Sequence, residues 1–392
     1  MPGALGNEQT SLPRVVIVRG HQANPWELVP WQQPALAERY AVSYLDSRSG
    51  WFDTSGVSLQ RRRAWTLRDV LPPGALGDLL VRVPGDRYLA PARALRGAAI
   101  VHAQELGYWY SRQAAALKRR LGFKLVLTVW ETIPFLDAYR NPRTRAYRRA
   151  TLAEADLFLA ATERARAALL LEGAPAERIR VCPPGVTATP DPARVRRADG
   201  PPVILSPGRL VWEKGHQDVL RAVASLRTEP PFPSELPRVL IVGRGPEERR
   251  LRAYARELGI GDAVEFVGFV AHGRMAELYS RAACMVLASL STWSWEEQFG
   301  MVLAEAAAAG TPILASSSGA IPEAAGGAAR YFSPGDWVGL AALLRHALAP
   351  APEAAGASAA DSGLDPAYTA DAAATRLIAA YDELLAGDVG GH

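Results

Sequence analysis

The chain switches repeatedly between short apolar runs and longer amphipathic stretches, and it does so in two blocks. In the first block the apolar runs are VVIV (15–18), AAIVHA (98–103), KLVLTV (124–129), DLFLAA (156–161) and RIRVCPPGV (178–186). Runs of this length and composition fit strands buried on both faces. Segments between them, such as WYSRQAAALKRRLG, carry the spacing of an amphipathic helix. Near residue 190 the pattern breaks at TATPDPARVRRADGPP, whose proline and charge predict a linker. It then resumes with PVILSPG (202–208), RVLIVGRG (238–245), AVEFVGFV (263–270), CMVLASL (284–290) and PILASS (312–317). Strands alternating with helices imply parallel sheets built from βαβ units.

Two such blocks predict two Rossmann-like α/β domains facing each other across a cleft. Residues 1–190 form the first and 191–368 the second; 369–392 form a last helix, roughly Ala370–Leu385, after a loose loop over 349–365. The length agrees, since 392 residues exceed one comfortable core. In sheets of this kind ligands bind beyond the carboxyl ends of the strands.

Composition narrows the function classes. No stretch of about 18 apolar residues occurs, so no membrane-spanning helix is predicted. The start, MPGALGNEQTSLPR, lacks a basic segment followed by an apolar core, so no secretion signal is expected. Cys182 and Cys284 sit in apolar contexts without metal-ligand spacing, which predicts buried free thiols and a cytoplasmic location. Three basic residues are lysines and 41 are arginines, which makes Lys214 conspicuous. Residues 1–190 hold 26 basic and 16 acidic residues, a net +10, whereas residues 191–392 carry a net −6. A basic first half suggests an anionic partner, such as a membrane surface or a phosphorylated acceptor. It reads equally as a solvated arginine-rich face. No nucleic-acid partner is expected.

The second block holds the denser chemistry. In PVILSPGRLVWEKGHQDVLRAV a strand ends at Gly208, followed by Arg209 and, five residues on, Lys214. A glycine there lets backbone approach a ligand, and a planar cation beside a point cation suits a diphosphate. The bland reading is a pair of surface cations. RVLIVGRGPEE places Gly243 and Gly245 after a strand, but Glu248 stands where a dinucleotide fingerprint would have its third glycine. This turn therefore reads as part of the cleft lining. In AVEFVGFV, Val270 follows a strand end whose backbone could pair with a nucleobase edge.

The stretch WSWEEQFGMVLAEAAAAGTPI sets Glu297 and Glu305 eight positions apart. Phe299–Gly300 leads into a predicted helix that runs to about Ala309. Its first amides, from Gly300 to about Leu303, lack internal partners and form an anion site. Glu297 lies outside the helix start; Glu305 lies inside, roughly 7 Å along the axis. An anion at the helix start with hydroxyl-rich groups on either side matches the layout of a nucleotide diphosphate sugar.

These motifs together, SPGRLVWEKG, IVGRGPEE, FVGFV, EQFGMVLAEAAAAGTPI and SGAIPE, resemble glycosyltransferase family 4, the retaining nucleotide-sugar transferases of GT-B fold. The resemblance implies that Glu297 contacts the donor sugar near the reacting centre and Glu305 holds the ribose hydroxyls. Arg209 and Lys214 would neutralise the leaving diphosphate. Phe299, Gly300, Met301 and Val302 would form the backbone cradle, Gly208 and Gly243 would line it, and Val270 would sit at the base. In the first half AAIVHAQELG resembles the family's His-x-His strand end, with His102 kept and Gln104 at the second position. LTVWETIPF puts Trp130 where a histidine is expected, followed by Glu131. The first loop, GHQANPWELVPW, begins with Gly20 and His21, lacks the common double glycine and carries two tryptophans. His102, Trp130, Glu131, Gly20 and His21 are therefore candidates for acceptor or sugar contacts.

The expected activity is transfer of a sugar from a UDP- or GDP-linked donor to a hydroxyl acceptor: a glycolipid, a polysaccharide or a small molecule. No cofactor is expected. No Asp-x-Asp occurs, so no metal clamp is indicated, and Arg209 and Lys214 would do that work. The alternatives are a GT-B nucleotide-sugar epimerase, a non-catalytic nucleotide-sugar binding protein, or a glycosidase using Glu297 and Glu305. Family membership also implies that the last helix crosses back to the first domain and that the two halves close on donor.

Overall fold

The computed structural model describes residues 12–72, 74–82, 85–136, 142–187, 200–228, 236–349 and 363–386. Two all-parallel sheets carry the fold. The first has β1 (Arg14–Gly20), β2 (Ala41–Ser47), β3 (Gln60–Ala64), β4 (Ile100–Gln104), β5 (Lys124–Val129), β6 (Leu157–Ala160) and β7 (Ile179–Val181), in the order 3-2-1-4-5-6-7. The second has β8 (Val203–Pro207), β9 (Arg238–Val242), β10 (Val264–Gly268), β11 (Cys284–Leu287), β12 (Ile313–Ser316) and β13 (Ala329–Phe332), in the order 10-9-8-11-12-13. In both sheets the first two strands of the order are added on one side of the founding strand. The remaining strands are added on the other, as in the doubly wound dinucleotide-binding architecture. The strand order therefore reverses beside β1 and beside β8, the place where sheets of this architecture open a crevice.

The central strands are apolar because helices cover both faces. Val15, Val16, Ile17, Ile100, Val101, Leu125, Val126 and Leu127 are inaccessible to solvent. Edge strand β3, Gln-Arg-Arg-Arg-Ala, has no apolar run and guards the sheet margin with charge. Cys284 is buried and Cys182 half-buried, and both thiols are free. Burial pushes the Cys284 thiol up to about 12. Among the described residues no helix is long and apolar enough to cross a membrane.

The chain crosses between the domains twice. The outgoing segment at Val186 and the returning one at Tyr368–Ala370 lie side by side: Val186 N donates to Tyr368 O at 2.9 Å and Ala370 N to Val186 O at 3.0 Å. After the return, the helix Ala370–Ala386 packs beneath the first sheet. Leu377, Ala380 and Tyr381 join Val15, Ile17, Leu28, Trp31 and Tyr40 in one apolar cluster. A polar chain threads that cluster. The Trp31 indole N–H donates to the Tyr381 hydroxyl at 2.9 Å, and that hydroxyl lies 2.6 Å from Nδ1 of His102. Nε2 of His102 lies 2.7 Å from the Thr128 hydroxyl.

His102 must therefore be removed from the acceptor candidates. It has no solvent exposure, and both ring nitrogens are used inside the first domain. Burial, with Arg19 nearby, drives its pKa well below the ordinary imidazole value. Its work is to tie β4 to the last helix.

Candidate active site

Because both sheets are parallel, the loops after β8, β9, β10 and β11 emerge at one edge. There Lys214 ends a single 3-10 turn, Trp212–Lys214, and its ammonium reaches Glu297. The Nζ lies 2.7 and 3.0 Å from the two carboxylate oxygens. The Ser289 hydroxyl, just beyond β11, donates to the same carboxylate at 2.6 Å. Both side chains are nearly buried, at 13% and 9% exposure, so the charges answer each other across little water. Trp295 closes one side, with the ammonium 5.3 Å from its ring centre.

Arg209 stands differently. It is exposed, and among the described residues it forms no ion pair. What is fixed is its backbone. His216 Nε2 lies 3.2 Å from the Arg209 carbonyl, and His216 Nδ1 lies 2.8 Å from the Ser206 hydroxyl. A carbonyl only accepts, so Nε2 carries the proton and Nδ1 receives the Ser206 hydroxyl. Burial first, with Lys214 nearby, holds His216 at about 4, and the ring is neutral at ordinary pH.

The helix predicted after Gly300 spans Met301–Ala308, with Gly300 at its N-cap in a left-handed conformation. The amides of Met301 and Val302 open it, and Leu303 N already turns back to Gly300 O at 2.8 Å. Gly208 and Gly243 follow β8 and β9, with Gly208 N bonded to Val242 O and Gly243 N to Gly268 O. Glu305 is half-buried one turn inside, accepts the Tyr279 hydroxyl at 2.8 Å, and lines a small cavity with Thr187, Met275 and Ala308. The two carboxylates thus face different partners. Val270 is half-buried against the apolar cluster that also contains Phe299. The Phe299 ring is buried edge-on between Trp130 and Tyr368, at 6.2 and 5.4 Å between ring centres.

On the opposing edge, Gly20 ends β1 and His21 follows it in a turn. His21 Nδ1 lies 2.6 Å from Asp86, Tyr110 donates to Asp86 at 2.7 Å, and Trp51 covers the imidazole at 4.0 Å between ring centres. Asp86 resists burial, which would raise its pKa. The hydrogen bonds from His21, Tyr110 and the Arg68 amide win, and the carboxyl is held below its ordinary value. Trp130 and Glu131 follow β5. Trp130 N donates to Glu105 at 2.7 Å, while the indole Nε1 is buried and has no partner among the described residues. One Glu131 oxygen accepts from its own Thr132 and Ile133 amides, and the other lies 3.5 Å from the Gln298 amide nitrogen of the second domain.

Comparison with known proteins agrees with this geometry half by half. Residues 35–189 match the model Glycosyltransferase Family 4, and residues 189–355 match Glycosyl transferases group 1. Both halves of the chain thus match glycosyltransferase models, the first of them that of family 4. The chain is 37% identical over 196 residues to the D-inositol 3-phosphate glycosyltransferase of Acidothermus cellulolyticus, 45% of this chain and 43% of that one. It is 28% identical over 266 residues to the GDP-mannose-dependent alpha-(1-6)-phosphatidylinositol monomannoside mannosyltransferase of Mycobacterium tuberculosis, 64% of this chain and 58% of that one. The chain thus spans about half the length of the curated relatives it matches. Among solved structures, sucrose-phosphate synthase from Thermosynechococcus elongatus superposes with a TM-score of 0.72 at 21% identity, covering 96% of this chain and 100% of that one. Anabaena HepE in complex with UDP gives 0.68 at 16%, covering 97% and 100%. At such identities the likeness establishes the fold, GT-B.

Several residues that the structure brings to the cleft are not among the candidates the sequence offers. Ser289 lay hidden in an apolar strand end. Glu296 was overshadowed by its neighbour in WEEQ, although an acidic doublet was a legible signal. Arg164 was one arginine among 41.

Proposed function

We propose that the protein is a retaining glycosyltransferase that moves a sugar from a nucleotide diphosphate sugar to a hydroxyl acceptor. The observation that carries this is the buried Lys214–Glu297 pair beside the open helix start at Met301–Val302. Departure of a nucleoside diphosphate builds negative charge on phosphate and positive charge on the sugar. A helix N-terminus and two cations, Arg209 and Lys214, meet the first; Glu297 meets the second. A donor phosphate entering the site would share the Lys214 ammonium and free the Glu297 carboxylate toward the sugar. Glu305, one turn further in, would accept the ribose hydroxyls.

The cation pair supplies the charge that a metal would otherwise offer, so the reaction proceeds without one in this reading. The donor is UDP- or GDP-linked: the mannosyltransferase relative is named GDP-mannose-dependent, and the HepE structure holds UDP. The acceptor side is the +10 half. Its helix Ala75–Arg82 leaves Leu76, Leu79 and Leu80 exposed on one face, which suits peripheral docking on an anionic membrane and a lipid-linked acceptor. Co-sedimentation with anionic vesicles at low salt tests that part; no binding would remove it.

The central test is a thermal-shift panel of UDP, GDP, ADP and dTDP, with and without chelator. One of UDP or GDP raising the melt, unaffected by chelator and absent in Lys214→Ala, is the expected result. No shift with any nucleotide would count against the reading, and a shift abolished by chelator would sink its metal-free part.

A further inference from the structure

Four consecutive residues behave differently from one another at the cleft. Glu297 turns into its own domain, onto Lys214 and Ser289. Its neighbours turn the other way. Glu296 meets Arg164 of the first domain in a two-bond fork, Nε to Oε1 at 2.6 Å and Nη2 to Oε2 at 2.8 Å. Gln298 faces Glu131, and Phe299 faces Trp130. The segment bearing the candidate catalytic acid is therefore gripped by one domain on one side and by the other domain on the other.

A second contact converges on the same place. Arg164 is the second residue of the helix Glu163–Leu171, which starts just beyond the carboxyl end of β6. That helix start points at the second domain, and Glu323 answers it. Its two oxygens lie 2.6 Å from the Glu163 amide and 3.3 Å from the Arg164 amide. Glu323 belongs to the helix Ile321–Ala325, and the residue before that helix, Ala320, donates its amide to the Glu297 carbonyl at 2.8 Å. Gly319 presses on the same carbonyl so closely that a Cβ there would overlap it. One turn of first-domain helix thus holds two second-domain carboxylates, one adjoining Glu297 in sequence and one a turn beyond its hydrogen-bond partner.

We propose that Arg164, with the helix start that carries it, is a positioning residue: its grip on Glu296 and Glu323 sets the Glu297 segment only when the two domains are closed. The Glu296 side chain is 9% exposed, and among the described residues Arg164 is its only ion-pair partner. Opening the cleft would strand that carboxylate, which gives the closed state a reason to form. Arg164 is half-exposed, so the fork can be made and broken without repacking a core. The inference rests on the glycosyl-transfer reading for its catalytic consequence, but the latch can be measured without it.

The experiment uses the full chain with Arg164→Ala, Arg164→Lys, Glu296→Ala, Glu323→Gln and the Arg164→Ala/Glu296→Ala pair. Amide hydrogen exchange over residues 291–300 reads the latch. Hydrolysis of UDP- and GDP-sugars without acceptor reads the chemistry, and the melt shift with UDP and GDP reads donor binding. Arg164→Ala and Glu296→Ala should each speed exchange in that segment and lower kcat about tenfold, with donor KM and nucleotide shift unchanged. The double variant should be no worse than either, since both remove one fork. Arg164→Lys, which keeps the charge and loses the fork, should fall between. Unchanged exchange at 291–300, or effects that add in the double variant, would overturn the proposal. If Arg164→Ala fails to fold, Arg164→Lys and Glu323→Gln carry the same comparison. Faster exchange in the variants, together with no hydrolysis of any donor by the unaltered protein, would count against transfer and not against the latch.

Discussion

At the carboxyl edge of the second sheet the chain turns on glycine. Gly208, Gly243 and Gly300 follow or precede the ends of strands and a helix, and charged side chains stand a few residues away. At the same edge of the first sheet the turns are held by side chains. Asp86 organises His21 and Tyr110, and Glu105 takes a left-handed φ of 62° with its carboxylate on the Trp130 amide. The strand order is shared; what differs is whether a ligand would meet backbone or side chains. A bare backbone edge suits a group with a fixed shape and charge, such as a diphosphate. A network of interlocked side chains can be rebuilt for each acceptor, and a non-glycine residue held at positive φ there is the kind of strain that accompanies a site.

The largest expected effect separates the edges by chemistry. Lys214→Ala should lower turnover by roughly 10²–10³-fold, the usual consequence of deleting a preorganised electrostatic group. It also leaves Glu297 buried with, among the described residues, only the Ser289 hydroxyl on its carboxylate. Trp130→Phe, on the first edge, keeps the contact with Phe299 and removes an indole nitrogen that has no partner among the described residues, so it should leave turnover nearly intact. Steady-state kinetics on the donor identified by the nucleotide panel would check both. If Trp130→Phe proved the more damaging, the division of labour between the edges would be wrong.

A steric test comes next. Gly243 has φ 145°, and a Cβ there would overlap the Gly208 carbonyl oxygen. Gly243→Ala should therefore force β8 and β9 apart at their ends and abolish the nucleotide melt shift. At Gly20 the φ is 58° and a Cβ would run into the Tyr110 ring. Gly20→Ala should lower the melt by disturbing His21 and Asp86 while leaving the nucleotide shift in place. Equal loss of nucleotide binding in both variants would show that the edges are not independent.

The same contrast explains what could be read without coordinates. The parallel sheets and the second-domain helix start were legible because buried strands need apolar runs and Gly300 marks the helix entry. β2 and β3 were not marked out, because Ala-Val-Ser-Tyr-Leu-Asp-Ser mixes polar residues into a sheet margin and Gln-Arg-Arg-Arg-Ala has no apolar run at all. β13, Ala-Arg-Tyr-Phe, hid for the same reason. His102 was misread because a histidine at a strand end looks alike whether it faces a cleft or a helix that arrives 279 residues later. The Arg164–Glu296 fork joins residues 132 apart, and no local pattern announces it.

The smallest effects concern stability, one in each domain. Tyr381→Phe removes the hydroxyl that joins Trp31 to His102 in a buried cluster, leaving an indole N–H and an imidazole nitrogen unanswered. A cost of about 1–3 kcal/mol is expected, with nucleotide binding unchanged. In the second domain the matching device is His216, and it titrates. Its folded value is about 4 against an ordinary 6.5, so between those values the unfolded chain binds a proton that the folded chain refuses. Stability from this group is thus complete above pH 7 and falls as the pH drops from about 6.5 toward 4, by up to about 3 kcal/mol. His102, also depressed, pulls the same way from the first domain. His216→Gln should flatten part of that slope in pH-dependent denaturant melts while Tyr381→Phe should leave the His216 part in place. A slope unaltered by His216→Gln would mean that the acid sensitivity resides wholly in the first domain.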